Sequence, residues 1–191
     1  MARTTVTLVT LILDASAVSM ATLAQDRSTM HKMPTSMEMP PKIESSVGEL
    51  SSLTRATAWL NTQPLNAASL RGKVVLIDVW TLTCINWLRT AAYIRAWSRK
   101  YRDHGLVVIG VHAPEFPFER DIDNVRRAVE RLGLNYAIAA DNDFAIWRRY
   151  GNRAWPSAVI VDKKGVVRYT HIGEGAYRDT EDVIRKLLAE P

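Results

Sequence analysis

The chain has 191 residues, 47% of them apolar, and a formal net charge of +5, enough to bury one sizeable core but short for two full domains. Its single cysteine, Cys84, excludes an intramolecular disulfide framework. The basic residues are dispersed and mixed with acids, as in RAVERL and VIRKLLAE, and no glycine-rich phosphate loop occurs, which argues against nucleic-acid and nucleotide partners.

Residues 1–24 join a basic start at Arg3 to an apolar run from Val6 to Leu13 and then to small residues. This is the layout of a secretory signal peptide cleaved after Ala24, although Asp14 interrupts it. The run is too short to span a bilayer, so the expectation is a periplasmic or otherwise exported protein with no stable membrane insertion after cleavage. Residues 25–49 are polar and proline-containing, and read as a flexible Met-rich linker. Met30, Met33, Met37 and Met39 beside His31 are ligand types that suit Cu(I), but nothing in such a segment fixes a coordination geometry. No metal or cofactor is expected.

From residue 50 to 191 the elements alternate. Lys73 to Trp80 is a continuous apolar run rich in Val and Ile, the signature of a central strand covered on both faces. A helix from Cys84 to about Asp103 is ended by Gly105, where a left-handed residue is needed. Leu106 to His112 is a second buried strand. Asp121 can cap a helix that sets Ile122, Val125, Val129 and Leu132 on one face, with Gly133 as its stop. A short strand at Tyr136–Ala139 and a short helix at Asp143–Tyr150 follow.

Ala158–Asp162, a Lys163-Lys164-Gly165 turn and Val166–Ile172 form an antiparallel hairpin. A last helix, Asp179–Ala189, is expected to bury Val183, Ile184, Leu187 and Leu188. The order implies an α/β fold in which a central mixed β-sheet is sandwiched between helices.

Cys84 stands in the turn TLTCINW that leads from the first central strand into a helix. Open α/β sheets place their sites at such turns. Unpaired N–H groups and the helix dipole there favour a thiolate, which is the attacking form of sulfur. An inert, buried cysteine is the alternative from position alone. A Cys-x-x-Cys site would need a second cysteine at position 87, which holds Trp87. Trp155-Pro156, just before the hairpin, is either a strand-edge feature or a cis bond in a tight turn.

The segments LRGKVVLIDVWTLTCINWLRT, YIRAWSRKYRDHGLVVIGVHAPEFPFE, DIDNVRRAV, DNDFAIWRRYGNRAWPSAVIVD and IGEGAY cover most of residues 53 to 190. With them the chain resembles the thioredoxin fold. More narrowly it resembles the exported redoxins of the TlpA and ResA type, and especially the C-terminal thioredoxin-like domain of DipZ-type proteins. The resemblance implies that Cys84 is the attacking cysteine and that Pro156 is the cis-proline facing it, holding the extended backbone of a substrate. It also implies that Asp78 is the buried acid behind the site, assisting proton transfer, though a polar residue satisfied by nearby backbone would occupy that place equally well. Trp80, Thr83, Trp87 and Trp155 become candidate substrate-binding residues around the sulfur. Two departures stand out: Trp87 replaces the resolving cysteine, and Ala92 occupies a helix position where thioredoxins commonly carry proline.

The expected activity is therefore thiol-disulfide exchange by a single nucleophilic cysteine in the cell envelope, in a reductive or antioxidant role. Its expected partners are protein or small-molecule thiols and disulfides, an external reductant, and a second copy linked through Cys84. A one-cysteine peroxidase is a second reading, suggested by Thr81 three residues before Cys84, with Arg148, Arg149 or Arg153 as candidate thiolate-stabilising cations. A redoxin that binds a peptide without turnover is the third, using Trp87, Trp155, Phe116 and Phe118 as an aromatic groove. His112 and Glu115 suggest a further site only weakly, and a structural loop is the better reading.

Overall fold

The computed structural model describes residues 49–191. The signal peptide expected at 1–24, and all of the 25–49 linker except Glu49, lie outside the described residues. A 3-10 helix at Leu50–Arg55 leads to β1 (Ala58–Leu60), β2 (Val74–Trp80), α1 (Ile85–Tyr101), β3 (Leu106–His112), α2 (Ile122–Arg131), β4 (Ala137–Ala140), α3 (Ala145–Arg149), β5 (Ser157–Val161), β6 (Val167–Ile172) and α4 (Tyr177–Ala189).

The strands form one mixed sheet in the order β1-β4-β3-β2-β5-β6. β2 runs parallel to β3, and β3 to β4, whereas β5 is antiparallel to β2 and β6. All seven residues of β2 are buried, as a strand covered on both faces requires. Side chains alternate along it. Val74, Leu76 and Trp80 join the core beneath α1, α2 and α4, while Val75, Ile77 and Val79 join the opposite core under α3 and the 3-10 helix. The expected sandwich is thus present.

Gly105 ends the first helical segment at φ 96°, the left-handed value its place in the sequence predicts. Asp121 caps α2 by accepting from the Asp123 backbone N–H at 2.9 Å. Ala92 lies in an uninterrupted α1.

Three details differ from the sequence reading. The edge strand β1 has only three half-buried residues, too few for a visible alternation, and gains its strand state from antiparallel pairing with β4. α4 begins at Tyr177, two residues before Asp179, after a left-handed Ala176. Its fully buried apolar residues are Ile184 and Leu187, and Val183 and Leu188 only flank the core, because the helix rests on the sheet along a narrower stripe than the apolar count suggests.

Candidate active site

The turn after β2 is closed by the Cys84 backbone N–H donating to the Thr81 carbonyl at 3.3 Å. Cys84 itself is the extended N-cap of α1, and its carbonyl accepts from the Leu88 N–H at 3.0 Å. The half-buried sulfur therefore sits at the positive end of a seventeen-residue helix. It lies 3.8 Å from the carbonyl oxygen of Trp155. The next peptide bond, Trp155-Pro156, is cis, and Pro156 is buried.

This facing turn is anchored on both sides. The Trp155 indole donates to the Ala113 carbonyl at 3.0 Å, and its ring packs on Trp147 with centroids 4.5 Å apart. On the other side the Gly173 N–H donates to the Pro156 carbonyl at 2.8 Å. Two segments far apart in sequence are thereby brought to one sulfur, as the sequence reading expects.

Asp78 lies behind the turn, 1% exposed. The indole N–H of Trp87 donates to both of its oxygens, at 3.0 and 3.2 Å. Burial pushes the Asp78 carboxyl up to about 7, although the Trp87 N–H favours the ionised form. A narrow crevice lined by Thr90, Pro156, His171, Tyr177 and Thr180 leads to it.

Trp80 and Trp87 require correction as substrate-contacting residues. Both are 0% exposed, and their rings stack at 4.4 Å inside the α1 core. Trp80 points inward because it shares the β2 face of Asp78, and Trp87 because it lies on the sheet-facing side of α1. Neither can meet a substrate, and Trp87 cannot line the aromatic groove of the binding-only reading. Trp155 is half-buried, and Phe116 and Phe118 are exposed. Thr81 is sealed from solvent. Arg148 donates to the Asp143 carbonyl and Arg149 pairs with Glu49 at 3.2 Å.

Thr83 is exposed, but its hydroxyl is committed: it donates to Glu119 Oε1 at 2.7 Å, and the Thr83 backbone N–H donates to the same oxygen at 3.2 Å. Glu119 Oε2 accepts from the backbone N–H groups of Glu115 at 2.6 Å and Phe116 at 2.9 Å. Burial acts to raise this carboxyl, and the donors outweigh it, so its pKa is lowered. Sequence reasoning misses Glu119. Its one signal is the spacing Phe116-Pro-Phe-Glu119, where an acid three residues into a helical turn reaches back to the turn's first N–H.

His112 is also sealed, edge-on to Trp80 at 4.9 Å, and neither ring nitrogen has a hydrogen-bond partner. Burial lowers its pKa to about 4 against the opposing pull of Glu119, so it is a neutral ring beside an ionised carboxylate. Glu115 is exposed.

A family model described as Redoxin matches residues 38–188. The chain belongs to the Redoxin family. This redoxin is 46% identical over 146 residues to Protein DipZ of Mycobacterium bovis, a match that covers 75% of this chain and 21% of that protein. The chain thus spans about a fifth of the length of that relative. It is 25% identical over 138 residues to the thiol-disulfide oxidoreductase YkuV of Bacillus subtilis, covering 72% of this redoxin and 93% of YkuV. A thiol-disulfide isomerase from Corynebacterium glutamicum superposes with a TM-score of 0.65 at 21% identity, over 71% of this redoxin and 94% of that structure. The fold is thioredoxin-like.

Proposed function

We propose that this redoxin is a monothiol thiol-disulfide oxidoreductase of the cell envelope, with Cys84 as its only reacting sulfur and a reductive or antioxidant role. The observation that carries the reading is the placement of the half-buried Cys84 sulfur at a helix N-terminus, 3.8 Å from the carbonyl that precedes cis Pro156.

In the forward step the Cys84 thiolate attacks one sulfur of a substrate disulfide. The substrate S–S bond breaks, a Cys84–substrate disulfide forms, and the second substrate sulfur leaves as a thiolate that takes its proton from solvent. Pro156 and Trp155 line the approach and hold the extended backbone around the attacked sulfur. Position 87 offers no thiol to displace the substrate, so an external thiol attacks the Cys84 sulfur and releases the substrate thiolate. A second thiol attacks the resulting Cys84–external disulfide, which regenerates Cys84 and leaves the external disulfide as product. Asp78 serves as the proton reservoir behind the site, at the narrow crevice lined by Pro156 and Thr90. Thr83 acts through Glu119 and not by touching substrate. The signal layout of residues 1–24 supports an exported location, and among the described residues no helix is long and apolar enough to cross a membrane.

The test is turnover of a protein disulfide with dithiothreitol or glutathione as reductant. The wild type should accelerate reduction in proportion to added thiol, and Cys84→Ser should lose the acceleration while keeping a cooperative unfolding transition. Equal acceleration by Cys84→Ser would overturn the mechanism.

A further inference from the structure

Glu119 ties the loop after β3 to the turn that carries Cys84. One oxygen holds Thr83, the residue before Cys84, by its N–H and its hydroxyl. The other holds the Glu115 and Phe116 N–H groups of the loop after β3. A carboxylate that is 0% exposed and accepts four hydrogen bonds is a costly device unless the position it fixes matters.

What it fixes is apolar. Phe116 and Phe118 are 47% and 53% exposed, and their rings lie parallel, 5.9 Å apart and tilted by only 6°. Pro114 and Pro117 stiffen the backbone that carries them. On the Cys84 side of the clamp, Ile85, the first residue of α1, is 59% exposed. Three of the five large apolar side chains exposed among the described residues are therefore borne by the two segments that Glu119 joins. Large apolar groups held in water on a loop clamped to the Cys84 turn fit the side chains that flank a substrate's cysteine.

We infer that Glu119 is a positioning residue which, by locking the Phe116–Phe118 loop to the Cys84 turn, makes these two phenylalanines the determinants that select disulfide substrates whose cysteine is flanked by apolar side chains. The inference rests on Cys84 being the attacking sulfur. The occupant is an extended peptide segment with Leu, Val or Phe beside its cysteine. The chemical step is unchanged: Cys84 attacks the peptide sulfur, the old S–S bond breaks, and the other thiolate leaves.

The experiment uses two synthetic peptides, each carrying one cysteine as a mixed disulfide with thionitrobenzoate. One has Leu and Phe around the cysteine and the other Ser and Gln. Release of the coloured thiolate gives the rate of attack. The wild type should react about tenfold faster with the apolar peptide, the scale expected for partial burial of one large side chain. Phe116→Ser/Phe118→Ser should bring the ratio of the two rates close to one, and Phe116→Leu/Phe118→Leu should retain it. Glu119→Gln should lower the ratio, because its amide turns an NH2 toward one of the two donor pairs, the Thr83 N–H and hydroxyl or the Glu115 and Phe116 N–H groups. If that variant does not unfold cooperatively, Thr83→Val, which removes one donor at an exposed position, takes its place.

A wild-type ratio near one, or an unchanged ratio in the double serine variant, would overturn the inference. The symmetric thionitrobenzoate disulfide, which has no flanking residues, reports Cys84 by itself. If the wild type does not react with it, the exchange reading has failed. Selectivity is then read as binding of the two peptides, cysteine replaced by serine, to Cys84→Ser protein, and equal binding overturns the inference independently.

Discussion

The indole N–H of Trp87 donates to the buried carboxylate of Asp78, 3.0 Å from Oδ2 and 3.2 Å from Oδ1. Position 87, where a Cys-x-x-Cys site would carry its second sulfur, is thus bonded to the buried acid beneath the Cys84 turn. An indole N–H can hold this carboxylate but cannot give up its proton near neutral pH or attack a disulfide. Trp87 offers no thiol for a resolving step and gives the buried acid a donor.

Asp78 should make the protein more stable at acid pH than at pH 8. Its folded pKa, about 7, lies above its ordinary value of 3.8. The stability it contributes is therefore full below about 3.8 and is lost as pH rises through about 7. Asp78→Asn, which keeps an acceptor for the Trp87 N–H, should remove that loss. Urea unfolding from pH 4 to 8 checks this as the stability difference between wild type and variant, which should shift against the wild type as pH rises; a difference that does not change with pH would show that Asp78 is not the titrating group.

His112 should act in the opposite sense. Its folded pKa is depressed to about 4 from 6.5, so the stability it contributes is present above about 6.5 and disappears as pH falls toward 4. His112→Leu fills the sealed space without a titrating ring. In the same unfolding series the stability difference between His112→Leu and wild type should move in the variant's favour as pH falls from about 6.5 toward 4, and a difference independent of pH would contradict this.

Trp87→Cys should restore intramolecular resolution at a cost in stability. The loss of a wholly buried indole stacked on Trp80 at 4.4 Å should destabilise by about 3–5 kcal/mol, as for other large-to-small core changes. On oxidation the variant should form a disulfide between Cys84 and the introduced thiol, detected as a two-proton mass loss, and should release bound substrate without added thiol. Persistence of the mixed disulfide in this variant would mean that geometry, as well as the missing thiol, blocks resolution.

Much of this arrangement is legible in the sequence. The apolar run VVLIDVW marks β2 and Gly105 marks the end of the helical segment, because each depends on local composition or backbone restriction, whereas Trp155-Pro156 stays open between a strand edge and a cis bond until the family resemblance sets it opposite Cys84. Trp80 and Trp87 are misread as site walls, since no local pattern tells an aromatic ring that lines a cleft from one that fills the layer behind it. Glu119 escapes notice because its partner Thr83 is 36 residues away in sequence. β1 escapes because its pairing with β4 creates it.

Gly110 illustrates the same dependence on packing. A Cβ there would stand 2.8 Å from Ile138 Cδ1, 3.0 Å from Trp80 Nε1 and 3.1 Å from Tyr136 Cε2, so its absence lets Trp80 and Tyr136 close over the sheet beside Asp78. Gly110→Ala should destabilise by about 1–3 kcal/mol, measured as a lower urea midpoint with an unchanged slope. An unshifted midpoint would mean that the aromatic layer can yield.

Intact-mass analysis of the wild-type protein mixed with excess glutathione disulfide, followed over time, tests the central claim most directly. The account predicts one glutathionyl adduct per chain, located on Cys84 by peptide mapping, which persists after the excess disulfide is removed and disappears when a thiol is added. Absence of the adduct in the folded protein, or its spontaneous loss without any added thiol, would contradict a monothiol mechanism at Cys84.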